Sequence, residues 1–232
     1  MSSVTLIVPA AGSGSRMGGA PKQFRLLGGA PVLVQTLRAF EGHVTRIVVP
    51  VAADEVDGVA AMLRRYDVEA RVVAGGATRQ ASVAAGLAAV PEAVPEGTEV
   101  VLVHDAVRPF IAAGRIRAVT EAARADGAAA LAVPVADTLR RAAGGRFGET
   151  VDREGLWRMQ TPQAARVELL RAAHRRAEAD GFTGTDEVEL LLRAGQAVRL
   201  VEGDARNLKL THPADWALAE ALWGQRTEDG GR

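Results

Sequence analysis

Arg16 and Lys22 lie in a glycine-rich stretch, residues 9–23, whose composition indicates a polyphosphate site. The stretch reads P-A-A-G-S-G-S-R-M-G-G-A-P-K-Q and follows the apolar run 4–8, which predicts a buried strand. Glycine lets the backbone turn sharply and approach a ligand, and the exposed N–H groups of such a turn form an anion-binding concavity. Because arginine can bridge two phosphate oxygens and lysine places a point charge on one, the stretch predicts a polyphosphate cradle. A flexible surface loop is the alternative.

Two familiar nucleotide-binding loops do not fit the glycine spacing. A dinucleotide fingerprint requires G-x-G-x-x-G and an acidic residue at the end of the second strand. Here Gly12, Gly14 and Gly18 give G-x-G-x-x-x-G, and the second predicted strand ends V-V-P-V. A P-loop requires G-K-[ST], whereas Lys22 lies between a proline and a glutamine. Both loop classes are therefore excluded.

Lys22 and Lys209 are the two lysines among 28 basic residues, so the other 26 are arginines. A chain that uses arginine wherever a positive charge will serve keeps lysine where a compact ammonium group is needed instead of a planar fork. Both lysines are therefore candidate functional residues. Chance placement is the alternative for each of them.

The composition is that of an ordinary globular protein. The formal net charge is zero and 48% of the residues are hydrophobic, so nothing points to nucleic acid or to an anionic membrane surface. No apolar run approaches the roughly 20 residues of a membrane span, and no signal peptide is recognisable. The lack of cysteine excludes disulfides and thiolate chemistry, and the four histidines have no metal-ligand spacing. A cytoplasmic protein is expected.

Strand and helix patterns alternate along the first part of the chain. Apolar runs predict strands at 4–8, 46–51, 69–74, 100–103 and 128–135, and helical spacing predicts helices at 31–40, 53–66, 78–90 and 113–125. Continuous apolar strands separated by helices are typical of a parallel sheet covered on both faces. The predicted fold class is α/β, a Rossmann-like, mostly parallel sheet with helices on both faces, in a single domain over residues 1–226.

Right-handed crossovers place the strand-to-helix loops at one edge of such a sheet, where ligands bind outside the carboxyl ends of the strands. The 10–22 loop, the glycine turn at 75–76 and the loop at Asp105 should therefore converge. Asp105 either forms a salt bridge with Arg108 or orients a substrate hydroxyl or a hydrated magnesium ion. Two polar side chains in the helix after the glycine turn either serve to cap that helix or offer donors to a small pyrimidine: Arg79 and Ser82.

The alternation breaks between residues 136 and 156, which predict a β-hairpin with a turn at Gly144–Gly145. The segment is polar at most positions and has little apolar surface to pack on its own core. We interpret it as an arm that reaches a partner subunit, with a mobile surface hairpin as the alternative. The patterns beyond it predict a helix at 166–179, a helix cap at Thr185, a strand at 198–201, a final helix with Pro213 in its first turn and a frayed tail at 227–232.

Short motifs follow one another along nearly the whole chain: P-A-A-G-S-G-S-R-M…P-K-Q, G-G-A-T-R-Q-A-S-V, V-H-D-A-V-R-P, V-A-D-T-L, T-V-D-R-E-G-L-W, Q-T-P-Q, T-D-E and V-E-G-D-A-R-N-L-K. In this order, from about Val4 to Leu222, they resemble the 2-C-methyl-D-erythritol 4-phosphate cytidylyltransferase family. The first motif alone indicates only a nucleotidyltransferase, whereas the strings D-A-x-R-P, V-D-R-x-G-L-W and N-x-K are much more specific. The family joins a methylerythritol phosphate to CTP and releases pyrophosphate in the non-mevalonate isoprenoid pathway.

The resemblance implies a role for each matching position. Arg16 and Lys22 would stabilise the transition state at the α-phosphorus, and Arg153 and Lys209 would position the attacking substrate phosphate. The positions that hold CTP in the family correspond here to Ala10, Ala11, Gly12, Ser13, Gly14, Gly76, Arg79, Ser82, Asp105 and Ala106. The positions around the methylerythritol phosphate correspond to Asp105, Arg108, Thr138, Arg153, Thr185 and Lys209.

The resemblance also implies partners and a cofactor. The family is a homodimer whose arms cross, so Thr138 and Arg153 would complete the site of the partner subunit. Mg²⁺ is expected on the CTP phosphates, without a dedicated protein cage. The predicted function is CMP transfer from CTP to 2-C-methyl-D-erythritol 4-phosphate. Two alternatives stay open: a cytidylyltransferase for another polyol phosphate such as ribitol 5-phosphate, and a non-catalytic nucleotide-binding protein that keeps the fold.

Overall fold

Across residues 3–12, 21–91 and 99–228, which the computed structural model describes, the chain forms eleven strands and seven α-helices. The strands are β1 (Ser3–Ile7), β2 (Leu26–Leu27), β3 (Ala30–Pro31), β4 (Arg46–Val51), β5 (Arg71–Ala74), β6 (Glu99–Val103), β7 (Ala128–Pro134), β8 (Leu139–Ala143), β9 (Arg146–Val151), β10 (Trp157–Arg166) and β11 (Arg199–Glu202). The helices are α1 (Val32–Arg38), α2 (Val56–Arg65), α3 (Arg79–Ala88), α4 (Ala113–Asp126), α5 (Val167–Ala179), α6 (Glu187–Arg193) and α7 (Pro213–Glu228).

The main sheet has the strand order β11-β7-β10-β6-β1-β4-β5. β1 pairs in parallel with β6 on one side and β4 on the other, so that Thr5 lies opposite both Val101 and Arg46. β10 alone among these strands runs antiparallel to its neighbours, β6 and β7. The predicted fold class, a mostly parallel α/β sheet, is confirmed.

Helices cover both faces of this sheet, because the side chains of its buried strands alternate between two cores. In β6, Val100 and Leu102 join a cluster with α1, α2 and α4. Val101 and Val103 point to the opposite face and join a cluster with α3, α5 and α6. Because such a strand is buried on both faces, successive positions are apolar, and this explains the continuous hydrophobic run in the sequence.

The predicted hairpin is formed by β8 and β9, which pair antiparallel in a sheet of their own. Gly144 and Gly145 connect them with φ angles of 56° and 74°, a left-handed turn that favours glycine. Every residue from 140 to 150 is exposed, so this hairpin, called the arm below, buries almost nothing against its own chain. Its role in dimerisation stays a prediction.

Three sequence-based expectations differ from the structure. The long central strand β10 was not predicted, because Gln160, Thr161 and Pro162 interrupt its apolar pattern. Its pairing register shifts at these residues, where proline has no N–H to donate. Thr185 is not a helix cap: Asp186 caps α6 by accepting a hydrogen bond from the Glu189 amide at 3.0 Å. α7 continues through Glu228, two residues into the predicted tail 227–232, and the remainder of that tail lies outside the described residues.

The described residues include no helix with the length and apolar character needed to cross a bilayer.

Candidate active site

A cavity of about 370 Å³ opens at the carboxyl ends of β1, β5 and β6. The three segments expected to converge all contribute to its lining. The predicted site residues found there are Ala10, Ala11, Gly12, Lys22, Gly76, Arg79, Ser82, Asp105, Ala106 and Lys209. Both lysines of the chain therefore lie on one cavity, although 187 positions separate 22 from 209 in the sequence.

A larger depression, about 860 Å³, lies at the opposite edge, near the amino ends of β4 and β5. Its arginines already have acceptors: Arg38 donates to the Tyr66 carbonyl, Arg71 to the Ala89 carbonyl and Arg46 to the Glu99 carboxylate. No predicted site residue lines it. Ligand sites in parallel α/β sheets lie at the carboxyl ends of the strands, so the smaller cavity is the candidate active site.

Asp105 is the electrostatic centre of this cavity. Its side chain is buried, and its Oδ2 accepts from Lys209 Nζ at 3.0 Å and from Arg108 Nε at 3.1 Å, while Arg79 Nε lies 3.6 Å from Oδ1. Burial alone would raise the pKa of Asp105, but the charges of Lys209, Arg108 and Arg79 outweigh it and hold that pKa well below its usual range. The salt bridge to Arg108 exists, and the same carboxylate also fixes two cations at the cavity.

A buried histidine holds the backbone of Asp105 in place. The Asp105 amide donates to Thr161 Oγ1 at 3.0 Å, and Thr161 Oγ1 lies 3.0 Å from His104 Nδ1. His104 Nε2 lies 3.0 Å from the Arg108 carbonyl, which can only accept, so Nε2 carries the proton. Burial lowers the pKa of His104 to about 4, so the ring is neutral and Nδ1 accepts from the threonine hydroxyl.

Glu187 holds Arg79 from the side away from Asp105. Arg79 Nη1 donates to Glu187 Oε1 at 2.7 Å, and His174 Nε2 lies 2.7 Å from Glu187 Oε2. Burial opposes both charges, yet the pairing lowers the pKa of Glu187 and raises that of Arg79. Arg79 Nη2 is buried and has no acceptor among the described residues. Sequence reasoning missed Glu187, because 108 positions separate it from Arg79 and no local pattern links them.

Gln23 joins the Lys22 turn to the segment after β1. Lys22–Phe24 forms a single 3-10 turn, and Gln23, buried within it, donates from Nε2 to the carbonyls of Ala10 and Gly12, both at 3.0 Å. These bonds place the Lys22 backbone beside the start of the glycine-rich stretch. Gln23 was not predicted as a site residue; its place in P-K-Q, directly after the candidate lysine, was the available signal.

In the helix after the glycine turn, one residue predicted to bind the ligand makes hydrogen bonds within its own segment. Thr78 caps α3 by accepting from the Ala81 amide at 3.0 Å, as expected. Ser82 Oγ accepts from the Gly76 amide at 3.2 Å and lies 2.9 Å from the Thr78 carbonyl, to which it donates. Ser82 thus shapes the turn that borders the cavity.

The remaining predicted residues are not among the described residues that line the cavity. Ser13, Gly14 and Arg16 lie outside the described residues. Thr138 and Arg153 are exposed at the base of the arm, where Arg153 donates to the Ala136 carbonyl. The two others are engaged within their own subunit: Arg108 donates to the Asn207 carbonyl at 2.7 Å besides pairing with Asp105, and Thr185 Oγ1 donates to Glu189 Oε2 at 3.0 Å.

The described residues contain no group of three or more histidine, aspartate or glutamate side chains able to hold a metal ion. Asp105 is the one acidic side chain among the described residues that line the cavity, and three cations already surround it. This donor set is unlike a protein metal cage. It fits a metal ion bound mainly by substrate phosphates.

Comparisons with known proteins agree with the geometry. The family model for 2-C-methyl-D-erythritol 4-phosphate cytidylyltransferase matches residues 4–225. Enzymes of that name from Salinibacter ruber and Deinococcus radiodurans are 52% and 48% identical, over 95% and 97% of this chain and 92% and 90% of theirs. The crystal structure of the Thermus thermophilus protein of that name superposes with a TM-score of 0.80 at 38% identity, covering 96% of this chain and 99% of that one. This chain therefore belongs to the 2-C-methyl-D-erythritol 4-phosphate cytidylyltransferase family.

Proposed function

We propose that this chain transfers CMP from CTP to 2-C-methyl-D-erythritol 4-phosphate and releases pyrophosphate, in the non-mevalonate route to isoprenoid precursors. The observation that carries the proposal is the meeting of Lys22, Lys209 and Arg79 on the cavity around Asp105. Family membership over residues 4–225 supplies the substrates. Without that membership, the cavity alone would support only a site for a small anionic ligand.

The chemistry of the proposed reaction needs cations and no protein nucleophile. An oxygen of the acceptor phosphate attacks the α-phosphorus of CTP and forms a new P–O bond. The bond between the α-phosphorus and the bridging oxygen then breaks, and pyrophosphate leaves with its electron pair. Negative charge grows on the non-bridging oxygens in between, and fixed positive charges at that position stabilise it.

Each basic residue has a distinct part in this proposal. Lys22 stabilises the charge that develops at the α-phosphate, the role that the family resemblance also gives to Arg16. Lys209, held at 3.0 Å by Asp105, orients the acceptor phosphate with Arg153 from the arm of the partner subunit. Arg79, fixed between two carboxylates on the cavity lining, places positive charge beside the nucleotide. Fixing these groups before the substrate arrives lowers the cost of reorganisation during the reaction.

Mg²⁺ belongs to the proposal as a companion of CTP. When bound, it would neutralise part of the triphosphate charge and favour departure of pyrophosphate. Asp105, the one acidic side chain among the described residues that line the cavity, would contact its hydration shell, because the surrounding cations leave this carboxylate little capacity for direct ligation.

We also propose a homodimer joined through the arms. The arm is exposed along its length, and Phe147 near its turn is 85% exposed. At its base, Trp157 and Met159 are 38% and 41% exposed. An exposed phenylalanine on a hairpin that buries almost nothing against the described residues of its own chain, with two more exposed apolar side chains near its base on β10, indicates a contact with another chain. The cytoplasmic location stays a prediction from the sequence.

An assay of pyrophosphate release tests the proposed function. Purified protein is mixed with CTP, Mg²⁺ and either 2-C-methyl-D-erythritol 4-phosphate or ribitol 5-phosphate, and the nucleotide product is identified by mass spectrometry. The expected result is pyrophosphate and a cytidine diphosphate adduct with the methylerythritol substrate. Preference for ribitol 5-phosphate would assign another acceptor, and CTP binding without pyrophosphate release would identify a non-catalytic protein.

A further inference from the structure

A third, small apolar cluster lies next to the candidate active site. It comprises Leu27, Val32, Val107, Phe110, Leu210, Trp216 and Ala219. Its members follow the charged residues of the cavity closely in the chain: Leu27 comes five positions after Lys22, Val107 two after Asp105, and Leu210 one after Lys209. The Leu210 amide also donates to the Val107 carbonyl at 3.0 Å. This cluster therefore ties together three segments that carry the cavity charges.

The helix α7 closes this cluster and reaches the Lys22 turn directly. The guanidinium of Arg25 lies 4.0 Å from the ring centroid of Trp216, a cation–π stack. Two turns further along α7, Trp223 packs on Gly28, where a methyl group would overlap the indole nitrogen. Gly28 also has a φ of 58°, which favours glycine. Two tryptophans of α7 thus fix the segment that follows Lys22.

Lys22 and Arg25 are joined by the 3-10 turn described above. The Arg25 amide donates to the Lys22 carbonyl at 3.3 Å, and the Phe24 amide to the Pro21 carbonyl at 2.9 Å. With one hydrogen-bonded turn between them, an anchor on Arg25 restrains the Lys22 backbone. Lys22 lines the cavity on one side of this turn, while Arg25 stacks on α7 on the other.

The first turn of α7 also lies near the lysine. Asp215 Oδ2 accepts from the amides of Thr211 and His212 at 2.6 and 2.8 Å. Burial alone would raise the pKa of Asp215, but these two bonds lower it, and the positive charge of Lys22 lowers it further. The start of α7 therefore lies within electrostatic range of the Lys22 ammonium group.

We propose that Arg25 and Trp216 are positioning residues: their stack anchors the Lys22 turn to α7 and so sets where the Lys22 ammonium group lies in the cavity. This inference rests on the proposed function for its kinetic consequence, but the geometry that it asserts is independent of which reaction occurs. Neither residue touches the cavity, so each acts through Lys22. A displacement of about 1 Å in a reacting group can cost roughly 10²-fold in rate.

The kinetic test is a double-mutant cycle on the full-length protein. Arg25→Ala is expected to lower kcat about 5-fold, since an exposed cation–π stack contributes modestly, and to change the KM for CTP less. In the Lys22→Ala background the same substitution should lower kcat less than about 2-fold, because the group that it positions is gone. Trp216→Leu removes the ring and leaves the charge of Arg25 in place. It should show the same coupling to Lys22, which would assign the effect to the stack and not to the charge of Arg25 alone.

The matched control is Arg193→Ala. Arg193 makes a comparable stack, 4.4 Å from the ring of Phe182, and is not among the residues that line the cavity. Its loss should leave kcat unchanged in both backgrounds. Equal losses of kcat from Arg25→Ala with and without Lys22, or no loss at all, would overturn the proposal.

A second measurement does not depend on turnover. Because the chain has two lysines, ¹³C-lysine labelling gives one side-chain NMR signal for Lys22 and one for Lys209. Arg25→Ala, at an exposed position, is expected to shift the Lys22 signal and leave that of Lys209 in place. An unmoved Lys22 signal would refute the positioning role even if the protein proved inactive with every acceptor, whereas inactivity together with a shifted signal would refute only the proposed function.

Discussion

Acidification should destabilise this protein through His104, well before its carboxylates are protonated. An unfolded histidine has a pKa of 6.5, and burial lowers the pKa of His104 to about 4. Between these values the unfolded chain binds a proton that the folded protein does not, so the free energy of unfolding falls as pH decreases. The part of the free energy of unfolding that depends on a neutral His104 ring is fully present above pH 6.5 and is lost as pH falls toward 4. Its size is roughly 3 kcal/mol, at about 1.4 kcal/mol for each tenfold change in proton affinity.

Urea unfolding between pH 7 and pH 4.5 measures this loss, and His104→Gln isolates it. The glutamine does not titrate, and its amide can still donate to the Arg108 carbonyl. We expect the variant to be less stable than the parent at pH 7 and to lose less stability on acidification. Asp105 and Glu187 have lowered pKa values, so their losses come at lower pH and occur in both proteins.

His212→Gln is the matched control, because His212 is exposed. It should leave the stability of the parent at pH 7 unchanged, which shows that the loss in His104→Gln belongs to the buried ring. If parent and His104→Gln lost the same stability between pH 7 and pH 4.5, the reasoning would be refuted. A titration of the His104 ring by NMR with a midpoint near 6.5 would refute it as well.

Three further predictions concern the site. Asp105→Asn frees the cations that the carboxylate holds, and kcat/KM measured by pyrophosphate release should fall by roughly 10²-fold; an unchanged value would contradict the central role of Asp105. Glu187→Gln weakens the support of Arg79, so the KM for CTP should rise about 10-fold with kcat less affected, and a fall in kcat alone would count against this. If the arms are exchanged, mixing inactive Arg153→Ala and Arg16→Ala subunits should restore activity, and no recovery would indicate a site within one subunit.

The alternation of strands and helices could be predicted because the sheet is buried on both faces. In β1 and β6 the buried positions are aliphatic apart from Thr5 and Glu99, which hydrogen-bond to each other, and this pattern is local in the sequence. β10 could not be read in the same way. Its Gln160 and Thr161 are buried but bind partners far away in the chain, such as the Asp204 carbonyl and the Asp105 amide, so polar residues stand where a strand pattern would require apolar ones.

The site was predicted unevenly for a similar reason. Lys22, Lys209 and Asp105 could be identified because each stands out locally, by residue type or by its place at the end of an apolar strand. Glu187, His174 and Gln23 support those residues through contacts that only the folded chain creates. Thr185 and Asp186 are adjacent residues of capping type, and sequence alone does not decide which of them caps the helix.

The central claim is that a fixed lysine on this cavity stabilises charge at a reacting phosphorus. Single-turnover kinetics of Lys22→Ala with CTP and 2-C-methyl-D-erythritol 4-phosphate test it most directly, with Lys22→Arg to show whether any positive charge suffices. The account predicts that the chemical step slows by roughly 10²-fold or more in Lys22→Ala, while the affinity for CTP changes far less. A chemical step of unchanged rate in Lys22→Ala would contradict it.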